Sequence, residues 1–381
     1  MSKVKIETLT PIHIGSGNFL RNNSDFVQHH DGKDSYIYVI DPKKILSLIG
    51  IEHLDDWVRL IERNGDTKDF VQKMGHNATP EKYALRTLVN YAHPVRQNDT
   101  LKECMHDGLG RAYIPGSSIK GAIRTAVLAT LTQRMTGLEP IVAEKSLKTG
   151  KTNVAAKKVE AKIFGGDPNS DIFRFLKIGD AYFEEGCELS SRVINLNIRE
   201  CDNLKDSSKP QIVEAIAPDY ESIIQVKIDK AHYDWAKVHW NNPTGKSKPL
   251  GELPTEMGNI YSLFELINNH TKKLVKDEIN YWQEMQDGKY EGAEDYLNNM
   301  RYILQEINDC QKKGDCILRI GHASGWRFIT GAWTEQLDNL KKDIVPASRR
   351  GNDKYQQYDF PKSRRLDEEG DIFGFVRLSI L

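Results

Sequence analysis

The amino-acid sequence predicts an α+β protein with two domains. The 381 residues are enough for two domains of ordinary size, each with its own core. Alternating apolar residues, which are typical of strands, occur towards both ends of the chain, and amphipathic helical patterns lie between them. We therefore expect two domains in which helical segments are inserted among the strands.

The first domain begins with a strand, a second strand and a helix. Residues 4–14 and 36–40 carry the strand alternation, and Asp41-Pro42 suits the start of a helix. Apolar spacing at 54–61 and 70–74 indicates further amphipathic helices. These helices form an insertion ahead of the next strand.

Residues 113–128 predict a short strand, a turn and the start of a helix. Ser117 and Ser118 are candidate N-caps, and Gly116 would let a ligand approach the backbone closely. A helix start presents unpaired N–H groups and the positive end of the helix dipole. This stretch is therefore a candidate anion site.

Two cations follow this turn on one helix face. Lys120 and Arg124 lie one turn apart, so both would stand beside the same helix end. A phosphate backbone suits this arrangement better than a small acid. An ordinary capped turn with its cations in water explains the same spacing and stays an alternative.

A basic segment and a strand complete the first domain. Residues 144–162 are basic and lack large apolar side chains, which is typical of a mobile loop that becomes ordered on a polyanion. A solvated surface segment is the alternative. Residues 172–183 return to strand alternation.

The second domain is predicted to combine strands with a helical hairpin. Helical spacing at 260–282 and 296–307, broken at Asp287-Gly288, indicates two antiparallel helices. The predicted strands cover residues 191–198, 212–216, 222–228 and 373–380.

A glycine-containing loop follows the hairpin. In residues 316–333 a strand enters a loop at Gly321, leaves it at Gly325 and leads into a helix. Such a loop allows backbone to approach a phosphate, with Arg327 close by. A purely structural turn remains an alternative.

The segment at 346–365 is basic and aromatic. It includes Lys362, Arg364 and Arg365, and such a mixture is typical of RNA-contacting segments. A charged surface loop has the same composition.

The overall charge gives no general attraction to nucleic acid. Lys plus Arg number 53 against 54 for Asp plus Glu, a net charge of −1. An RNA site must therefore come from local clusters. Residues 117–162 hold nine Lys/Arg against three Glu, and residues 341–365 hold eight against three Asp.

The cysteines and the hydropathy indicate the compartment. Five cysteines without a C-x-x-C pair argue against a disulfide framework or a zinc site. No apolar run reaches membrane-spanning length. We expect a cytoplasmic protein that needs no membrane, metal or other cofactor.

Several motifs resemble one protein family. PGSSIKGAIRTA at 115–126 resembles the signature of the RAMP superfamily of CRISPR-associated proteins. TPIHIGSG at 10–17, SDFV at 24–27 and YVID at 38–41 resemble the opening of its type III-A (Csm) members.

The resemblance continues to the end of the chain. FGG at 164–166, KIGDAYF at 177–183 and FPKSRRL at 360–366 are similar to later family motifs. In the family pattern KIGDAYF closes the first domain, which implies one domain at residues 1–185 and a second at 186–381, each with helical insertions. The glycine-rich loop departs from the family pattern, because Ala323 and Ser324 stand between its two glycines.

The resemblance implies a fold, a function and partners. It implies two ferredoxin-like (RRM-like) domains in a non-catalytic subunit that caps a Csm complex at the crRNA 3′ end and supports crRNA maturation. The implied partners are crRNA, the adjacent backbone RAMP subunit and the small subunit, with host trimming nucleases as further candidates. The predicted RNA-backbone contacts are Gly116, Ser117, Ser118, Lys120, Arg124, Gly321, Gly325, Arg327, Lys362, Arg364 and Arg365.

Two other functions remain open. In a RAMP endoribonuclease that processes precursor crRNA, His13, His29, His30 or His322 would act as acid or base, and Asp25 is the candidate for a metal-dependent reaction. A scaffold that works mainly through protein contacts is the third interpretation. Walker, HExxH, GxSxG and dinucleotide motifs are absent, which disfavours those enzyme classes.

Overall fold

Helices and strands both make up large parts of the chain, which confirms the predicted α+β class. The computed structural model describes residues 1–74, 78–138, 156–197, 205–240, 250–287, 293–334, 337, 361 and 363–381. No helix within these residues combines the length and the apolar composition needed to cross a membrane.

The strands are β1 (Ser2–Thr8), β2 (Gly15–Arg21), β3 (Phe26–Asp31), β4 (Asp34–Ile40), β5 (Ala84–Asn90), β6 (Thr100–Cys104), β7 (Tyr113–Ile114), β8 (Leu176–Ile178), β9 (Ala181–Tyr182), β10 (Glu188–Asn197), β11 (Lys205–Ile216), β12 (Glu221–Ile228), β13 (Cys316–Arg319), β14 (Ser363–Asp367) and β15 (Phe375–Ile380). The helices are α1 (Pro42–Ile49), α2 (Leu54–Glu62), α3 (Thr67–Lys73), α4 (Gly116–Thr132), α5 (Ala156–Phe164), α6 (Lys230–Trp240), α7 (Ile260–Asp287) and α8 (Ala293–Lys313).

The first sheet is built around the N-terminal strand. Its order is β13-β15-β1-β12-β8, and all neighbours are antiparallel. Val4 and Ile6 of β1 are fully buried, as the alternation predicted. The two ends of the described chain therefore meet in this sheet, because β1 pairs directly with β15.

The second sheet has the order β2-β6-β11-β10-β5-β4-β3, and β14 pairs with β10. Most neighbours are antiparallel, but β6 runs parallel to β11 and β5 runs parallel to β10. Phe19 of β2 lies opposite Lys102 of β6, so both side chains point to the same face. The pairing therefore places an aromatic ring next to a cation at this edge of the sheet.

Each of these two sheets takes strands from both sides of residue 185. The first combines β1 with β12 and β15, and the second combines β5 and β6 with β10 and β11. The division into 1–185 and 186–381 stays a prediction, and it does not coincide with a boundary between sheets.

Helix α4 packs its predicted apolar stripe into the largest core. Ile119, Ile123, Ala126 and Val127 are all buried there. Each fully buried isoleucine contributes roughly 1.5–3 kcal/mol relative to an exposed one. This burial fixes α4 against the first sheet and positions its N-terminus.

The predicted helical hairpin is present as α7 and α8, which pack against each other. Their buried residues surround Trp282, Tyr296 and Met300, and the turn between them lies outside the described residues. The hairpin therefore contributes a second core.

The basic segment differs from its prediction at its C-terminal end. Residues 139–155 lie outside the described part of the chain, but Ala156–Phe164 forms α5 instead of a loop. The reason is that Val159 and Phe164 are fully buried and anchor this helix to the core.

Candidate nucleic-acid interface

The predicted serine caps are absent from the start of α4. The helix begins at Gly116, the N-cap residue is Pro115, and its side chain makes no capping hydrogen bond. The Gly116 N–H instead donates to Asp180 Oδ1 at 2.7 Å. A carboxylate of the protein thus already stands where the sequence predicted a bound anion.

Gly116 is required for the packing of α4. A Cβ atom at this position would lie 2.2 Å from the carbonyl oxygen of Ile178. The glycine therefore lets α4 lie directly against β8, and ligand contact at this residue stays a prediction.

Arg124 is neutralised within the chain. Its guanidinium forms ion pairs with Asp171 (2.9 Å) and Glu160 (3.2 Å), and it lies 3.9 Å from the centre of the Phe164 ring. The predicted cation is present, but its charge is already balanced.

Lys120 remains the more available cation of this site. Burial lowers the pKa of Lys120, and the charge of Arg124 adds to the lowering against the opposing effect of Asp171. Together with Ser117 it lines a cleft of about 690 Å³, which Lys157 and Arg174 also line. The Ser118 N–H donates to the carbonyl of Pro115, within the first turn.

The glycine loop at 321–325 packs tightly against the N-terminal segment. The His322 N–H donates to the His13 carbonyl at 2.9 Å, and a Cβ at Gly321 would lie 2.6 Å from that same oxygen. Gly325 has φ +80° and open space around its Cβ position. The loop therefore fixes His322 beside His13.

The departure from the family pattern does not open this loop. Ala323 adopts φ +65°, the left-handed conformation that glycine favours. The Ser324 hydroxyl donates to the carbonyls of Ile320 (2.8 Å) and Gly321 (2.9 Å). These bonds hold the turn in place of the missing glycines.

Arg327 and Arg364 converge on one buried carboxylate. Arg364 donates to both oxygens of Glu278 at 2.6 and 2.9 Å, and Arg327 donates to it at 2.8 Å. Burial alone would raise the pKa of the Glu278 carboxyl. The charge and hydrogen bonds of Arg364 outweigh burial and lower this pKa to about 2. Both arginines thus bind a carboxylate of the protein itself, and RNA contact by either one stays a prediction. Lys362 lies outside the described residues.

Arg365 belongs to a different cluster, which the sequence did not indicate. Arg365 donates to His322 Nε2 at 2.9 Å and to Gln211 Oε1 at 3.3 Å. Lys102 donates to the same amide oxygen at 2.7 Å. A neutral acceptor thus holds two cations side by side.

These two cations have no acidic partner within the described chain, where no carboxylate lies within 4.0 Å of either. Burial lowers the pKa of both Lys102 and Arg365, and the charge of Arg365 lowers that of Lys102 further. Two adjacent, partly desolvated cations of this kind attract an anion. We name Lys102, Gln211, Arg365 and His322 the cation cluster.

Two of the four candidate histidines meet at this cluster, to which His322 itself belongs. The rings of His13 and His322 lie edge to face with centroids 5.4 Å apart. Burial lowers the pKa of His13, and burial together with the charge of Arg365 lowers that of His322 to about 3. Both imidazoles are therefore neutral at physiological pH.

The other candidate catalytic residues have local partners. The ring of His29 contacts Tyr38, and that of His30 contacts His93. The Asp25 carboxylate accepts the Arg21 N–H at 2.7 Å and closes a turn.

A buried polar cluster in the second sheet contains the side chains that a metal ion would need. His106, Glu188 and Glu214 bring their ligand atoms together. However, Arg86 Nε lies 2.6 Å from Glu214 Oε1 and 3.8 Å from Glu188 Oε1. The guanidinium thus supplies the positive charge that these carboxylates require.

Comparison with known proteins identifies relatives of the chain. It is 30% identical over 193 residues to the CRISPR system Cms protein Csm5 of Methanocaldococcus jannaschii, a match that covers 48% of this chain and 43% of that protein. It is 25% identical over 178 residues to the protein of the same name from Enterococcus italicus, which covers 40% and 50%. The matches thus span about half the length of these curated relatives.

Solved structures share the fold over the full chain. One is a chain of a cryo-EM structure of a Csm–crRNA–target RNA ternary complex of a type III-A CRISPR-Cas system, with TM-score 0.68, 18% identity and 100% coverage of both chains. Another is the crystal structure of Csm5 from T. onnurineus, with TM-score 0.64, 21% identity and coverage of 99% of this chain and 100% of the other. The predicted fold class, with ferredoxin-like domains and helical insertions, is confirmed.

The sequence motifs and the fold therefore point to the same family. The model of the RAMP superfamily matches residues 5–328, which is most of the chain. The chain belongs to the RAMP superfamily.

Proposed function

We propose that this protein is a non-catalytic crRNA-binding subunit of a type III-A Csm ribonucleoprotein in the cytoplasm. In this role it caps the complex at the crRNA 3′ end and supports crRNA maturation and assembly in antiviral defence. The names of its relatives and its likeness to a chain of a Csm–crRNA complex support this proposal.

The cation cluster is the observation that carries RNA binding. Lys102 and Arg365 are held by Gln211 and His322, which are neutral, so their charges remain available to a ligand. RNA phosphates supply the matching negative charge at regular intervals. Contacts of this kind hold the backbone and do not read the bases.

The cleft beside Lys120 provides a second contact. Ser117, Lys120, Lys157 and Arg174 line it, and Arg124 stiffens its wall through the ion pairs to Asp171 and Glu160. We propose that this cleft binds a further stretch of the same RNA backbone or the edge of the adjacent backbone subunit.

A terminal subunit must end a stack of subunits instead of continuing it. We propose contacts with the adjacent backbone RAMP subunit and the small subunit on one side. Host nucleases that trim the crRNA would reach its 3′ end on the other side.

Co-expression of the complex with and without this chain tests the proposal. We expect loss of the chain to leave crRNA with immature or heterogeneous 3′ ends and to reduce the yield of assembled subunits. Unchanged crRNA length together with complete assembly would contradict the capping role.

RNA binding by the cation cluster gives a quantitative prediction. The variant Lys102→Gln with Arg365→Gln should bind single-stranded RNA more weakly, with a salt dependence shallower by about 0.7 per lost phosphate contact. Fluorescence anisotropy across a salt series measures this. The control is Lys276→Gln with Lys313→Gln, two exposed helix lysines, and equal slopes for the two double variants would refute the site.

The endoribonuclease remains a second candidate because His13 and His322 lie together beside two cations. Acid–base cleavage needs one protonated imidazole, and the pKa of His322, about 3, works against that. Incubation of the isolated protein with repeat RNA in chelator decides the matter. Cleavage that disappears in His13→Ala or His322→Ala would establish this enzyme in place of the capping role.

The hypothesis of a scaffold that works through protein contacts alone leads to a different expected result. Such a scaffold would leave the RNA content of the complex unchanged in Lys120→Ala with Arg124→Ala and in Lys102→Gln with Arg365→Gln.

A further inference from the structure

Phe19 is a large aromatic side chain in an unusual position. It lies on β2, an edge strand of the second sheet, and 58% of it is exposed. The chain before it offers little cover, since Gly15 and Gly17 have no side chains and the Cβ position of Gly17 has open space. The side chain is thus largely accessible to a ligand.

The ring stands beside the cation cluster. Lys102 is its cross-strand partner, and the ammonium nitrogen lies 5.8 Å from the ring centroid. Two adjoining clefts, of about 360 and 280 Å³, are both lined by Phe19 and Lys102. One cleft extends to His13 and His322, and the other extends to Gln211.

This combination points to a nucleotide. A single exposed aromatic is ordinary on a protein surface, and a single cation is ordinary as well. Here an accessible ring adjoins Lys102, which shares the Gln211 amide oxygen with Arg365, and neither cation has a carboxylate partner among the described residues. An unpaired nucleotide carries a planar base and a phosphate side by side, and it would satisfy both features at once.

We propose that Phe19 is a stacking platform for one unpaired RNA base, whose phosphate lies on Lys102 and Arg365. The inference rests on the proposed function and adds a contact that the sequence motifs did not indicate. Gln211 Oε1 already accepts hydrogen bonds from both cations. This oxygen is therefore not free to accept a further hydrogen bond from a base and so to discriminate between bases.

The position of Phe19 makes it suitable for mutation. Because the ring is mostly exposed on an edge strand, Phe19→Ala removes little buried area, and thermal unfolding should show a fold like that of the wild type. Phe19→Trp keeps a stacking face. Tyr261→Ala removes another aromatic, 64% exposed on α7, and serves as the matched control.

The experiment measures binding of the full-length protein to a single-stranded oligouridine RNA. We expect Phe19→Ala to weaken binding at least about fivefold, the low end of measured base-stacking effects. Phe19→Trp and Tyr261→Ala should bind like the wild type. With 5-iodouridine in the RNA, photocrosslinking and mass spectrometry should map the attachment to Phe19.

The outcomes separate this inference from the proposed function. If the lysine and arginine double variant loses affinity while Phe19→Ala does not, and no crosslink maps to Phe19, the stacking site is wrong and RNA binding stands. If the wild-type protein binds no RNA, both the stacking site and the proposed RNA-binding function are wrong. If Phe19→Ala binds RNA normally but loses a co-purifying subunit, Phe19 is a protein contact and the inference is overturned.

Discussion

Two neighbouring arginines in the C-terminal part of the chain have opposite environments. Arg364 is buried against Glu278, whereas Arg365 lies beside His322 and Gln211 without a carboxylate. Both belong to β14, where successive side chains point to opposite faces. Identical residue types therefore serve the core on one face and a candidate ligand site on the other.

Glu278 should be essential for stability. It is 1% exposed and accepts hydrogen bonds from Arg364, Arg327 and Tyr296. Glu278→Gln leaves the buried arginine charge without its partner, so we expect a loss of about 3–5 kcal/mol in the free energy of unfolding. Urea unfolding measures it.

Glu265→Gln on the same helix is the control, because that side chain is exposed. A loss at Glu278 no larger than at Glu265 would show that the buried ion pair contributes little.

His106 should make stability depend on pH. Burial and the charge of Arg86 lower its pKa, but the hydrogen bond to Glu188, at 2.5 Å, together with the charges of Glu214 and Glu188, outweighs them and raises the pKa above the ordinary 6.5. A group whose pKa is raised by folding stabilises the protein fully below its unfolded pKa and loses that contribution as pH rises through its folded pKa.

We therefore expect the free energy of unfolding to fall from the acidic side of pH 6.5 towards alkaline pH by more in the wild type than in His106→Gln. Unfolding in urea at several pH values gives both curves. Parallel curves for the two proteins would show that His106 does not cause the pH dependence of stability.

Helix α4 illustrates how an element takes its role from its neighbours. Its apolar stripe matches the prediction, but its N-terminus is closed by Asp180 and pressed onto β8 at Ile178. The main structural role of the motif PGSSIKGAIRTA is thus to hold α4 in position against the first sheet. The residues left for a ligand are those that face the cleft, chiefly Ser117 and Lys120.

The two glycines of α4 should respond in opposite ways to alanine. At Gly116 a Cβ atom would collide with backbone, so we expect Gly116→Ala to cost at least about 1–3 kcal/mol. Gly121 is helical and exposed, with nothing within 4 Å, so Gly121→Ala should stabilise by roughly 0.5–1 kcal/mol. Thermal and urea unfolding compare the pair. Stabilisation by both substitutions would show that α4 does not lie against β8 this closely.

At the scale of the whole molecule, strands far apart in the chain build the same sheets. β1 lies between β12 and β15, and β10 and β11 join β5 and β6 across residue 185. We retain 1–185 and 186–381 as proposed modules of the sequence that fold only together.

Splitting the chain at this boundary tests that idea. We expect the fragments 1–185 and 186–381 to aggregate or remain unfolded when each is expressed alone, because each lacks partners for its strands. Co-expressed, they should purify together with the circular dichroism spectrum of the intact protein. Two fragments that fold independently would instead support autonomous domains.

Much of the fold could be predicted from local pattern. Residues close together in the chain determine the apolar stripe of α4, the α7–α8 hairpin and the alternation of β1 and β15. The end of the basic segment was predicted wrongly, because Val159 and Phe164 form a helix through contacts with distant core residues.

The site was less predictable. The motifs located Lys120, the glycine loop and Arg365, but gave no sign of Phe19, Lys102 or Gln211. Each of these lies outside a charge cluster or motif and gains its significance from a neighbour on another strand.

The sequence by itself determined the fold class, the helical insertions and the membership of the RAMP superfamily, since periodicity and motif wording are local properties. Only the tertiary structure decided which cations remain available. Asp171 and Glu160 neutralise Arg124, and Glu278 neutralises Arg364, while Lys102 and Arg365 meet no described carboxylate. The reason is physical: a charge is compensated by whatever folding brings near it, and strand pairing brings together residues that are far apart in the chain.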